Sequence, residues 1–328
     1  MKAWEVRELG EPEQVMELAE VPEPEPGPHE VSVRVAAASL NFPDVLMCRG
    51  EYQVKPPLPF TPGAEVSGTV VALGPDADSS LLGKRVIAIP RPGAGGFAEQ
   101  TVAHEAGVFP IPDSLADAPA AAMHVTYQTG HVGLHRRAMI RPGEVLLVHA
   151  GAGGVGSAAI QLGLAAGARV LATAGGPEKV QVCRDLGAEL AIDYRSTDFV
   201  DTVKEATGGN GADVIYDPVG GDTFDRSRKC IAFEGRILVI GFTSGRFADA
   251  PTNHVLIKNY SVVGLHWGMY NYREPSLVRS THQALLDLHA EGRIAPLVSK
   301  QIDLQEVPVA LAGLATRATY GKVVALIG

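Results

Sequence analysis

The feature that most constrains the fold lies between Val145 and Phe242, where short apolar β-type runs alternate with helix-like runs. VLLVHA, ARVLATA, LAIDY, ADVIYDPVG and RILVIGF read as strands. GVGSAAIQLGLAAG, PEKVQVCRDLG, DFVDTVKEATGG and TFDRSRKCIAFEG read as the helices between them. Strands separated by helices of about 10–15 residues pair in parallel, because each helical crossover returns the chain to the same end of the sheet. A doubly wound α/β unit is predicted, with YSVVGLH as its last, edge strand.

The first strand-to-helix junction, HAGAGGVG, is almost bare of side chains. Gly151-Ala152-Gly153-Gly154-Val155-Gly156 fits G-x-G-x-x-G, follows a strand, opens a helix and begins a βαβ series, the context a dinucleotide fingerprint needs. Gly151 is expected at the tight turn and Gly156 where helix and strand pack closely. Gly153 would let a pyrophosphate approach the backbone, and the N–H groups of Gly154, Val155 and Gly156 would meet the phosphates. The plain alternative is a glycine turn that binds nothing.

An NAD site places an acid about 20 residues further on, at the end of the second strand. Here that strand ends Ala172-Thr173-Ala174-Gly175-Gly176, with no acid. Lys179 follows within one turn, and Tyr194-Arg195 ends the third strand. A missing carboxylate beside a cation suits a 2′-phosphate, so NADP(H) is expected, held by Gly175, Lys179 and Tyr194. Glu178, slightly late for the NAD-type acid, is the residue that speaks against this.

The first third has another texture. EVSVRVAAASL, EVSGTVVALG and KRVIAIP are β-branched runs separated by Gly and Pro clusters, and VPEPEPGPHE is an extended connection. After an alanine-rich helical stretch from about Ala116, the α/β series begins. The tail returns to one amphipathic helix, PSLVRSTHQALLDLHAEG, and short β pieces. The expected organisation is a β-rich domain over 1–123 and 266–328, interrupted by a dinucleotide-binding domain over 124–265, with the cleft between them as the expected binding site.

Composition excludes some partners. A net charge of −9 in 328 residues argues against nucleic acid, which needs a basic surface. Leu146 to Gly176 is nearly uncharged, but glycines cut it into pieces too short to span a bilayer, so no membrane segment is expected. Three scattered cysteines, Cys48, Cys183 and Cys230, read as reduced thiols of a cytoplasmic protein and rule out a four-cysteine zinc site. The N-terminal MKAWEVRELGEPEQ has acids where an export signal would be apolar.

At this point the chain resembles the medium-chain dehydrogenase/reductase superfamily, and within it the zinc-free, zeta-crystallin-like quinone oxidoreductases. The run from Gly143 through Gly156 to Gln161 fits that branch's signature and departs from it at Leu164. SLNFPDVLMCRGEY, PGAEVSGTVVALG, VTYQT and RATYGKVVAL extend the likeness over the whole chain. The resemblance implies a GroES-like catalytic domain joined to a Rossmann domain. It also implies no metal: zinc members carry Cys where SLNFPD stands and Gly-His-Glu where Gly63-Ala64-Glu65 stands. Asn41 and Ala64 are poor zinc ligands.

The resemblance further brings Asn41, Asp44 and Tyr52 to the site. Asn41 would orient the nicotinamide or polarise a carbonyl, and Tyr52 would donate a hydrogen bond or proton. Asp44 is expected to cap the helix that follows it. Thr126, Gly241, Phe242 and Arg317 are implied near the cofactor. Each has an ordinary reading as a turn, packing, helix or surface residue. His266, Trp267, Tyr270 and Tyr272 suggest a wall for a flat substrate, or equally an interface or core.

The expected activity is hydride transfer from NADPH to a quinone. The alternative is an NADPH-dependent reductase of C=C bonds in alkenals, enones or enoyl thioesters. A further alternative is a non-catalytic nucleotide- or RNA-binding protein. A homodimer through the last Rossmann strand is expected.

Overall fold

The computed structural model describes all residues from 1 to 328. The chain divides into two compact units, Met1–Val125 with Pro296–Gly328, and Thr126–Ala295.

The first unit is built around the ten-residue strand Glu30–Ser39. Val31, Val33 and Val35 recur at every second position and are fully buried, each worth ~1.5–3 kcal/mol of apolar burial. Along one edge this strand pairs with Val66–Leu73. The other edge is shared, Gln100–His104 taking residues 30–34 and Lys322–Leu326 taking residues 37–39. Arg85–Ala88 and Val108–Pro110 extend one side of the sheet and Val298–Asp303 the other. An antiparallel hairpin, Lys2–Val6 with Met16–Glu20, also belongs to this unit. It is tied down by Trp4, whose indole N–H donates to Leu304 O at 2.7 Å.

The second unit holds six strands in the order Leu190–Asp193, Arg169–Ala174, Val145–Val148, Ala212–Asp217, Ile231–Val239, Ser261–Gly264, all parallel. The first strand in the chain is therefore central, with the second on one side and the fourth on the other. Strand order reverses there, and the carboxyl ends of such strands leave a crevice for a ligand. Leu146, Leu147 and Val148 are fully buried, as a sheet covered on both faces requires.

Three features differ from the sequence reading. The run IAFEG, expected to end a helix, is strand. The helix stops at Ser227, and Ile231 already pairs with Ala212. Glu234 takes φ 56° in a bulge that continues the strand to Val239. Second, the alanine-rich helix is broken into Asp117–Ala121, His124–His131 and a π-helical segment Val132–Arg137. Third, residues 266–295 belong to the parallel-sheet unit. Gln128 Nε2 donates to Val278 O at 2.9 Å, and Ala295 N donates to Gln161 Oε1 at 2.6 Å. Polar side chains on the first helices thus hold the long helix Pro275–Ala290 and the residues after it. No helix is long and apolar enough to cross a membrane.

Candidate active site

In the parallel-sheet unit the first strand ends at Val148, and the chain turns at Ala150, which takes φ 50°. The positive φ thus falls on an alanine, not on the first glycine of the motif. Gly151 is needed for space: a Cβ there would lie 2.9 Å from both Ala172 Cβ and Cys183 Sγ. Gly156 is needed more strictly, since a Cβ would stand 2.1 Å from Ala150 O. Gly153 meets only Ala150 O, at 3.3 Å, so the space above its backbone is open. The helix runs Gly154–Ala165, and Ser157 N donates to Gly153 O at 2.8 Å. The N–H groups of Gly154, Val155 and Gly156 precede that bond and carry the positive end of the helix dipole.

His149, just before the loop, is fully buried between Thr173 and Ser227. Its Nδ1 lies 2.9 Å from Thr173 Oγ1 and its Nε2 2.8 Å from Ser227 Oγ. Ser227 gives its own proton to Thr223 O, so it accepts from Nε2–H, and Nδ1 accepts from Thr173. Burial pulls the imidazole down to about 3, which keeps it in this neutral form. Sequence reading left His149 unassigned. A lone histidine in an apolar run gives no sign of its partners.

Where the second strand ends, Gly175 lies under Tyr194: a Cβ added to Gly175 would be 2.5 Å from the Tyr194 hydroxyl. Lys179 sits on the helix Pro177–Asp185 that starts just beyond. Asp193, at the end of the third strand, spends one oxygen on Gly176 N and Arg195 N, both at 3.0 Å. Gly241 and Phe242 follow the fifth strand. Their loop is fixed to the loop after the fourth strand by Thr243 N and Oγ1, both donating to Pro218 O. Thr126 is buried at the start of this unit. The aromatic group is unevenly exposed. Trp267 is buried, whereas Tyr272 is 73% exposed.

The β-rich unit contains a second polar cluster. Lys322 is 4% exposed, and its ammonium donates to Leu40 O at 2.9 Å, Asn41 Oδ1 at 2.6 Å and Glu65 Oε1 at 3.2 Å. Three protons meet three acceptors. Asn41 gives its amide hydrogens to Ser39 O and Glu65 Oε1, at 3.2 and 3.0 Å. Glu65, fully buried, also accepts from Val125 N at 2.7 Å. Asp44 is the third residue of the helix Phe42–Cys48 and reaches back to accept from Asn41 N at 2.8 Å, with Gly63 N at 3.2 Å on its other oxygen. Burial outweighs those two donors and raises Asp44 to about 7. Burial and the charge of Asp44 raise Tyr52 above the usual phenol value, which keeps its hydroxyl protonated at neutral pH. Arg317, also in this unit, is exposed and takes φ 59°. Sequence reading missed Lys322 and treated Glu65 only as an inadequate zinc ligand.

A parallel sheet with a glycine loop after its first strand, in one chain with a β-rich unit that holds a buried polar cluster, is the architecture of a class of two-domain oxidoreductases. Residues 27–113 match the family model described as the alcohol dehydrogenase GroES-like domain, and 154–283 the one described as zinc-binding dehydrogenase. The chain is 40% identical over 300 residues to a quinone oxidoreductase-like protein 2 homolog of Nematostella vectensis, covering 91% of this chain and 82% of that one. It superimposes with a TM-score of 0.92 on Escherichia coli quinone oxidoreductase complexed with NADPH. That match has 29% identity and covers 99% and 100% of the two chains. CurK enoyl reductase matches with a TM-score of 0.88 and 26% identity, over 100% and 99%. The chain belongs to the medium-chain dehydrogenase/reductase family and is quinone oxidoreductase-like within it.

The zinc in that family model's description does not fit these residues. No three His, Cys, Asp or Glu side chains are grouped to hold a metal. At Asn41 and Glu65 a positive charge is already supplied by Lys322.

Proposed function

We propose that the protein is an NADPH-dependent reductase that passes hydride to a quinone. The observation that carries the cofactor reading is the end of the second strand. It has no acid, and Gly175 leaves room for the Tyr194 hydroxyl. In this reading the N–H groups of Gly154–Gly156 take the pyrophosphate beside Gly151 and Gly153, and Lys179 and Tyr194 take the 2′-phosphate. Thr126, Gly241, Phe242 and Arg317 serve the nicotinamide end. The cofactor supplies the hydride from its C4 atom; the protein supplies position and hydrogen bonds.

Asn41 and Tyr52 are the residues assigned to the acceptor. Both amide hydrogens of Asn41 are already given away, so it offers only Oδ1. Tyr52 is then the donor, with a proton held on its hydroxyl by burial and Asp44. Asp44 acts by capping the helix that carries it. The likeness to CurK enoyl reductase favours a second reading, reduction of an activated C=C bond, in which the substrate carbanion needs that proton.

A homodimer is part of the proposal. The edge strand Ser261–Gly264 has one unpaired side, and Leu256, Ile257 and Val262 are exposed next to it. Three free, buried cysteines suit a cytoplasmic location.

The test follows NADPH and NADH oxidation with an ortho-quinone and a 2-alkenal in parallel, without added metal. Turnover of quinone with NADPH supports the main reading. Turnover of the alkenal alone moves the protein to the alkene reductases. Preference for NADH rejects the cofactor assignment, and tight nucleotide binding without any turnover rejects catalysis.

A further inference from the structure

His131 and His135 stand one turn apart, where the helix His124–His131 runs into the π-helical segment Val132–Arg137. Residues four apart share a helix face, so the backbone itself brings the two imidazoles together. Their ring centroids are 4.5 Å apart and their planes are inclined at 43°. The wide turn is held by Ala138 N, which donates to Gly133 O at 2.8 Å, a bond from i+5 to i. Gly133, between the histidines, faces the interior: a Cβ there would meet Leu265 at 3.3 Å, Tyr216 at 3.6 Å and Ile240 at 3.7 Å. The histidine face looks outward instead, with His131 half-buried and His135 exposed.

Other histidines spend ring nitrogens inside the fold, His149 on Thr173 and Ser227, His104 on Ala106 N and His289 on Ile294 O. The ring nitrogens of His131 and His135 make no such bond, and they are not sealed from solvent. Desolvation holds both rings below the ordinary histidine value, His131 at about 4, so both are neutral and keep a lone pair at neutral pH. The cations beside them are turned elsewhere. Arg136 Nη2 donates to both oxygens of Glu274 at 3.1 Å, and Arg137 donates through Nε and Nη2 to Gly264 O at 3.3 and 3.2 Å. Two imidazoles bound to one ion at ~2.0–2.1 Å have centroids about 4.5 Å apart at a right angle and about 5 Å apart at the tetrahedral angle. The observed separation falls at the near end of that range, and rotation of the exposed His135 ring is free to complete the alignment.

We propose that His131 and His135 form a two-imidazole site for a divalent transition-metal ion of the zinc and copper class, with water completing the coordination. The ion clips the last α-helical turn to the π-helical one and takes no part in hydride transfer. The site uses no residue of the Asn41–Glu65 cluster and does not depend on the reductase reading.

The experiment is titration calorimetry of the chelator-treated full chain with zinc chloride at pH 7, beside His131→Phe and His135→Phe, which keep a ring in the packed position. The parent should bind one equivalent, and each variant should bind ~10-fold or more weakly. Magnesium chloride should give no such binding, since that ion prefers oxygen ligands. Copper(II) should give a paramagnetic resonance signal split by two imidazole nitrogens in the parent and by no more than one in either variant. Equal melting temperatures of the metal-free proteins separate loss of a ligand from loss of the fold. Should a phenylalanine variant melt lower, His135→Gln, at the exposed ring, decides.

Zinc affinity unchanged in the variants overturns the proposal, because the ion then sits elsewhere. A loss confined to one variant overturns the shared site. No zinc binding by the folded parent overturns it as well, and leaves the two rings as a packed pair.

Discussion

Lys322 shows how much one side chain holds together. A buried ammonium is tolerated because every proton has an acceptor, and Glu65 is tolerated because Lys322 is there. Lys322→Met should destabilise the protein by ~3–5 kcal/mol in denaturant unfolding, leaving Glu65 buried without its cation. The double variant Lys322→Met/Glu65→Leu should recover part of that loss, and a double variant no better than the single would contradict this account. Asp44 gives a pH signature. Its folded value is about 7 against 3.8 unfolded, so between those values the native state binds more protons. Wild-type stability therefore loses this contribution as pH rises through the window. The stability of Asp44→Asn relative to wild type should climb across the same window, with a slope approaching ~1.4 kcal/mol per pH unit. A flat difference would mean that Asp44 is ionised when folded. None of this was legible in the sequence. Glu65 and Lys322 are 257 positions apart, and no local pattern marks either as a partner. Asn41 stood out, but its amide hydrogens turn out to be spent inside the unit. Tyr52 keeps its assigned role testable: Tyr52→Phe should abolish most alkenal turnover and leave quinone turnover within about two-fold, since a hydroquinone oxygen can be protonated by water.

At the scale of elements, the glycine loop separates space from access. Gly156→Ala puts a methyl 2.1 Å from Ala150 O, a backbone atom that cannot swing aside. It should destabilise by ~1–3 kcal/mol and abolish detectable NADPH binding. Gly153→Ala meets only one oxygen at 3.3 Å. It should leave the thermal midpoint nearly unchanged while weakening NADPH, because the methyl stands over the backbone and not inside the fold. Equal melting temperatures for the two variants would refute this distinction. The βα series could be read in advance because each strand is a short apolar run and each helix has its own punctuation. The misread segment, IAFEG, is short and apolar, and such a run fits either a buried strand or a helix end. Its pairing with Ala212 is decided by a neighbour that local periodicity does not name. The hairpin Lys2–Val6 with Met16–Glu20 went unseen for a related reason, its outward positions being dense in glutamate.

For the whole molecule, the proposed dimer makes Val262 informative. It is 37% exposed on the open edge strand, beside Leu256 at 77% and Ile257 at 73%. Val262→Lys should shift sedimentation equilibrium toward monomer, and a parent that already sediments as a monomer would remove the dimer. The two-part organisation was legible from the change in texture near Ala116, but its second boundary was not. The helix Pro275–Ala290 is amphipathic, and amphipathicity tells that a face is buried without telling against what. The closing strand of the first unit has a consequence for how the protein is made. Glu30–Ser39 emerges early, yet part of one edge waits for Lys322–Leu326, which is made long after it. At ~5–20 residues per second, the 257 positions between Glu65 and Lys322 take about 13–50 s. Throughout that interval the nascent chain carries an open strand edge and a carboxylate that lacks its cation. All residues of the parallel-sheet unit precede Lys322 in the chain, while the β-rich unit waits for the strand that Lys322 begins.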